Sequence, residues 1–175
     1  MLRTALPADI PDLKALIAES VMVLQAGDYS LAQREAALGT VFGVDTQLIT
    51  DQTYLVIETE GEIVACGGWS FRKTLYGADA LAGREDNRLD PATDAARIRA
   101  FFVKPGWTRR GLGGQVLHAC EAAATAAGFR RFELGATLTG IPLYRAYGYT
   151  QIETAEAQMA GGLSLEIVRM GKAAG

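Results

Sequence analysis

Phe101-Phe102-Val103-Lys104-Pro105-Gly106-Trp107-Thr108-Arg109-Arg110-Gly111-Leu112-Gly113-Gly114 decides how the rest of the 175 residues are read. An apolar run gives way to a short turn and then to a glycine-rich entry into a long helical pattern. The first N–H groups of a helix have no intrahelical partner, and the helix dipole adds partial positive charge there. Gly111, Gly113 and Gly114 remove side chains that would hold a phosphate away, and Arg109 and Arg110 add full charges. The arrangement suits a pyrophosphate better than a protein partner.

The flanking sequence turns this stretch into the middle of a β–α–β unit. Arg97 to Val103 reads as a strand, and the helix runs from about Gly111 to Ala127 and stops at Gly128, a favoured C′ residue. Leu112, Val116, Ala119 and Ala123 are expected to line its apolar face. Arg130 to Gly135 is the next strand, parallel to the first across a right-handed crossover.

Upstream, Leu2 to Ala5 reads as a short strand. Asp9 then caps a helix carrying Leu13, Leu16, Ile17, Val21 and Leu24. Ser30 and Gln33 form a capping box for a helix ending near Leu38. Tyr54–Glu58 and Ile63–Trp69 flank a tight Glu60-Gly61 turn and read as a hairpin. Downstream, Pro142 to Tyr147 is a helical turn, and Tyr149–Ile152 and Leu163–Met170 pair around Gly161-Gly162. The order predicts an α/β fold, with a mixed and mostly antiparallel central sheet flanked by helices.

Composition narrows the function. A hydrophobic content of 49% and a charged content of 21% support a buried core, and residues 1–175 are expected to form one domain. The net charge of −3 argues against a nucleic-acid partner, and no apolar run is long enough to span a membrane. Cys66 and Cys120 lack metal-ligand spacing and read as buried thiols in a reducing cytoplasm; no metal is expected. His118, the single histidine, lies mid-helix with no acid–nucleophile framework around it.

Two motifs together resemble the GNAT superfamily of acyl-CoA-dependent N-acyltransferases. The first is Thr108-Arg109-Arg110-Gly111-Leu112-Gly113, in the register where the family prefers Gln/Arg-x-x-Gly-x-Gly/Ala. The second is Pro142-Leu143-Tyr144-Arg145-Ala146-Tyr147-Gly148-Tyr149, which resembles its leucine-tyrosine…glycine-aromatic segment. The match covers residues 97–152. The resemblance implies a splayed parallel strand pair around the β–α–β unit and acetyl-CoA as co-substrate. It implies an amine acceptor, and Tyr144 as the acid that protonates the departing CoA thiolate. It also implies that Phe101, Phe102 and Val103 face the acyl-pantetheine arm, with the Phe101 N–H polarising the thioester carbonyl. Thr108, Arg109, Arg110, Gly111, Leu112, Gly113 and Gly114 would hold the pyrophosphate.

Departures from the family pattern carry information. Thr108 replaces the usual Gln or Arg. Thr137 stands where many members carry Asn, so it inherits a cofactor-side position with a shorter side chain. Arg97 stands where some members carry a glutamate base, so that base is not inherited. Freeing a lysine-like amine of its proton costs about 4 kcal/mol at pH 7.4, three pKa units. Glu133 is the nearest alternative base by strand position.

Three readings remain open on the sequence. A non-catalytic acyl-CoA-binding module on the same fold is the main rival. A dinucleotide fingerprint fits Gly113 and Glu133 by spacing, but Val116 stands where a third small residue belongs. Residues 72–96 lack periodicity and are expected to form an acceptor-side lid, in which Glu85, Asp86, Asp90 and Asp94 attract a cationic amine and Gly77 and Gly83 act as hinges. Trp69, Phe71 and Tyr76 read either as core or as acceptor-pocket lining. The acceptor itself is undetermined by the residues, and a homodimer is compatible with them.

Overall fold

The computed structural model describes residues 1–175. In chain order the elements are β1 (Leu2–Thr4), α1 (Ile10–Leu24), α2 (Leu31–Ala37), α3 (Thr46–Thr50), β2 (Tyr54–Thr59), β3 (Glu62–Ser70), β4 (Ala96–Val103), α4 (Leu112–Ala126), β5 (Arg131–Thr137), α5 (Ile141–Ala146), β6 (Thr150–Gln158) and β7 (Ser164–Ala173). The strands form a single sheet in the order β1-β2-β3-β4-β5-β7-β6. Every neighbour pair is antiparallel except β4 and β5, which are parallel.

Local chemistry accounts for the element ends. Gln33 N–H donates to Ser30 Oγ at 3.1 Å and Ser30 N–H to Gln33 Oε1 at 2.8 Å, closing the capping box at α2. Glu60 and Gly61 have φ of 53° and 79°, the left-handed pair that a tight two-residue hairpin turn requires. Gly128, at φ 98°, ends α4. Asp9 precedes α1 without bonding its N–H groups. Its carboxylate instead accepts from Leu6 N–H and from both terminal nitrogens of Arg3.

Helices cover both faces of the sheet. On one face Leu13, Leu16, Ile17 and Val21 of α1 pack with Tyr54, Val56, Cys66, Phe102 and Ile167. On the other, Val116, Leu117, Cys120 and Ala124 of α4 pack with Val64, Ile98, Phe132, Leu134 and Met170. The buried stripe of α4 is thus Gly114, Val116, Leu117, Cys120 and Ala124, about a third of a turn from the expected one. Ala123 is exposed, because alanines along this helix fit either face and give no phase. No helix is long and apolar enough to cross a membrane.

Residues 71–95 are irregular but held. Lys73 N–H donates to Asn87 C=O, Thr74 N–H to Glu85 C=O and Leu89 N–H to Phe71 C=O, so the segment folds back on itself. Ala78 N–H donates to Thr40 C=O, pinning it to the link between α2 and α3. Arg99 Nη2 donates to Asp45 Oδ2 at 2.8 Å and to Gly77 C=O at 2.8 Å, and Arg84 Nη2 donates to Asp45 Oδ1 at 2.9 Å. Asp45, which also caps α3, is the fully buried hub of this net.

Candidate functional site

The site begins with an irregularity in β4. Cys66 pairs with Phe102 and Gly68 with Arg99, so Gly67 faces two residues, Ala100 and Phe101. This is a bulge on β4, and Ala100 takes it up at φ 57°, a left-handed conformation that costs an alanine about 1–2 kcal/mol. Its surroundings hold it there. The buried Tyr54 hydroxyl donates to the Ala100 carbonyl at 3.0 Å. A Cβ on Gly67 would lie 2.7 Å from the Phe101 ring, and one on Gly68 would lie 2.8 Å from Tyr54, so the Gly67-Gly68 pair leaves room for both aromatics.

The bulge turns β4 away from β5. The two strands pair only at Ala96–Phe132 and Arg97–Glu133. Beyond that point β5 continues to pair with β7 through Thr137, while the β5-facing edge of β4 has no strand partner. A cavity of about 610 Å³ fills the splay. It is lined from one face by Ser20, Leu24, Gln25 and Phe42, and from the other by Leu112, Gly113, Leu143, Tyr144 and Tyr147. Ala100, Phe101, Phe102, Val103, Gly135 and Thr137 form its walls within the sheet. The cavity therefore crosses the sheet.

One end meets the start of α4. No backbone N–H from Thr108 to Gly114 donates to a protein acceptor; the first bond of the helix is from Gln115 N–H to Gly111 C=O. Thr108, Arg109, Gly111, Leu112, Gly113 and Gly114 line the cavity. Arg110 does not: its guanidinium stacks on the Trp107 ring at 4.6 Å. The glycines differ in purpose. Gly111 has φ 79° and open space where a Cβ would be. A Cβ on Gly113 would sit 3.1 Å from Leu143, and one on Gly114 would collide with the Tyr147 hydroxyl at 1.8 Å. Gly113 and Gly114 therefore let α5 approach α4, whereas the expectation was that they clear space for an anion.

Tyr144 stands over the splay on α5. Its ring meets Phe101 edge-on at 6.2 Å and Tyr149 at 5.8 Å. Its hydroxyl has no hydrogen bond to the protein, and burial holds its phenol above the ordinary tyrosine range, so it stays protonated. Thr137 Oγ1 accepts from Gly140 N–H at 3.0 Å, which fixes the turn into α5 and leaves its own proton free to donate. Glu133 is in no position to act as a base. Its Oε2 accepts from Arg97 at 2.7 Å and from Arg169 at 2.5 Å, and it is not among the cavity residues.

A family model described as acetyltransferase (GNAT) family matches residues 20–149. The chain belongs to the GNAT family. Solved structures of the same fold include a GCN5-related N-acetyltransferase from Rhodopseudomonas palustris, at 21% identity and TM-score 0.73, covering 99% of this chain and 95% of that one. A second is the PaiA N-acetyltransferase of Thermoplasma acidophilum in complex with coenzyme A, at 14% identity and TM-score 0.68, covering 99% and 98%. A third is yncA of Salmonella typhimurium with acetyl-CoA, at 16% identity and TM-score 0.65, covering 99% and 92%. At these identities the likeness is one of fold. No curated protein matches in sequence.

The GNAT cavity includes residues that the sequence reading passed over. Ser20, Leu24 and Gln25, at the end of α1, line it although they read as an ordinary helix terminus. Leu75, Tyr76 and Gly77 are the part of the 72–96 segment that reaches it; Glu85, Asp86, Asp90 and Asp94 do not. Of the aromatic trio, Trp69 is core, Phe71 lies under Arg72 and Arg88, and Tyr76 faces the cavity. One missed feature did have a signal: two glycines inside a strand mark a bulge or a close approach.

Proposed function

We propose that this protein transfers an acetyl group from acetyl-CoA to a primary amine, its 175 residues acting as one acyltransferase domain. The observation that carries the reading is the cavity that crosses the sheet at the β4–β5 splay, with a row of unpaired N–H groups at one end and a phenol over its middle. Membership of an acetyltransferase family, and CoA or acetyl-CoA in structures of the same fold, support that co-substrate. In this reading the pyrophosphate lies on the N–H groups of residues 109–114 beside Arg109. Phe101, Phe102 and Val103 flank the pantetheine arm, Thr137 donates to it, and the Phe101 N–H polarises the thioester carbonyl.

The amine lone pair forms the N–C bond, and the C–S bond breaks. The thiolate takes the Tyr144 proton, and the proton lost by nitrogen goes to solvent, from which Tyr144 is restored. Burial supports direct attack over an acyl-cysteine route. Cys66 is pushed up to about 12 and Cys120 is raised further, and neither lines the cavity. The test combines calorimetric titration with thiol release. Acetyl-CoA should bind, and free CoA should appear only when amine is added. Binding without amine-dependent release across an amine panel would overturn the enzyme in favour of a binding module.

A further inference from the structure

We infer that the acceptor is a weakly basic amine on an uncharged, apolar body, received at the α1 end of the cavity against the side-chain amide of Gln25. The inference rests on the acetyl-transfer reading and adds the substrate class.

The argument starts from the charges around the cavity. No Asp, Glu, His or Lys lines it, and its single charged residue, Arg109, belongs to the phosphate turn. The opposite end is walled by Leu24, Val41, Phe42, Leu75, Tyr76 and Ile167. An ammonium brought there would lose its hydration and gain no counter-charge. The neighbouring acids lie outside the lining, and several are engaged elsewhere. Asp45 is shared by Arg84 and Arg99, Glu133 by Arg97 and Arg169, and Asp94 accepts from Asp90 N–H. Asp28 bonds two lining residues, its carboxylate accepting the Thr139 hydroxyl at 2.6 Å and its N–H donating to the Gln25 carbonyl, and it is itself exposed outside the lining. A carboxylate on the acceptor would also lack a partner at this end.

Gln25 supplies the polar contact. It is 5% exposed, lines the cavity, and its buried Oε1 has no partner. Its backbone carbonyl accepts from Asp28 N–H and Tyr29 N–H, which fixes the residue at the end of α1. A buried amide without a partner is a standing cost that an incoming polar group removes. A neutral amine donates one N–H to Oε1 and keeps its lone pair free for the thioester, whereas an ammonium has no lone pair to attack with.

Proton economy leads to the same class. With no lining group to take a proton from an ammonium, the acceptor must arrive as the free base. At pH 7.4 an α-amine of ordinary basicity is the free base roughly 300-fold more often than a lysine-like amine.

The test measures kcat/KM with saturating acetyl-CoA for three probes: phenylalaninamide, phenylalanine and spermidine. Phenylalaninamide should exceed spermidine by about 100-fold or more, following the free-base ratio, and phenylalanine should be poor. Gln25→Leu should raise the KM for phenylalaninamide about tenfold, with acetyl-CoA affinity retained as the control for folding. Gln25→Glu should shift selectivity toward spermidine. Equal use of spermidine or phenylalanine, or turnover of none of the three while acetyl-CoA binds, overturns the inference and leaves acetyl-CoA binding standing. Failure of acetyl-CoA itself to bind overturns the acetyl-transfer reading instead.

Discussion

The Tyr144 ring is buried and packed edge-on against Phe101 and Tyr149, and its hydroxyl makes no hydrogen bond to the protein. Removing it by Tyr144→Phe keeps the ring contacts with Phe101 and Tyr149, so acetyl-CoA affinity should hold. The kcat should fall about 100-fold, the low end for a positioned proton donor. Its raised pKa sets the sign of the pH dependence: the phenol keeps its proton as pH rises through the ordinary tyrosine value. The wild-type kcat should therefore show no falling limb below about pH 10. A falling limb centred at about pH 10, absent from Tyr144→Phe, would show that the phenol titrates normally and that the reading of its environment is wrong. This residue was legible in the sequence because its family motif is contiguous. Gln25 was not, because nothing in the chain marks a helix-terminal glutamine as buried beside a cavity.

At the scale of elements, the bulge in β4 creates the site, and Tyr54 holds the bulge. Tyr54→Phe leaves the Ala100 carbonyl without its side-chain donor. Stability should drop by about 1–2 kcal/mol, read as a lower urea midpoint at unchanged m, and the KM for acetyl-CoA should rise. An unchanged midpoint and KM would mean that Gly67 and Phe101 hold the bulge alone. The segment between β3 and β4 depends on another buried group. Asp45→Asn removes the counter-charge of Arg99, whose side chain is 2% exposed, and of Arg84. The loss should be about 3–5 kcal/mol, measured by denaturant unfolding, and a loss below 1 kcal/mol would show that the two guanidiniums find other partners. Strand β6 shows why some elements escaped the sequence reading. It runs to Gln158, yet only Ala157 is buried, so its residues show no alternation and only its first part was legible. The segment at 71–95 has no period for a different reason. Its order comes from a folded-back backbone and from Asp45, which is distant in sequence.

Taken whole, the fold places two helical layers against one sheet and lets a cavity pass between them at the only parallel pair. The sheet class, the β–α–β unit and the glycine turn were legible from periodicity, caps and motif. Where β4 and β5 separate was not, because the cause is a single left-handed alanine at position 100 whose neighbours come from β2 and β3. The central claim is that CoA threads this splay with its phosphates on the turn before α4. Amide chemical shifts followed during titration with CoA test it most directly. The account predicts the largest displacements at the amides of Phe101 to Val103 and Arg109 to Gly114. Displacements confined to Leu81–Glu85, which border a second hollow of about 430 Å³ and do not line the splay, or no displacements at all, would contradict it.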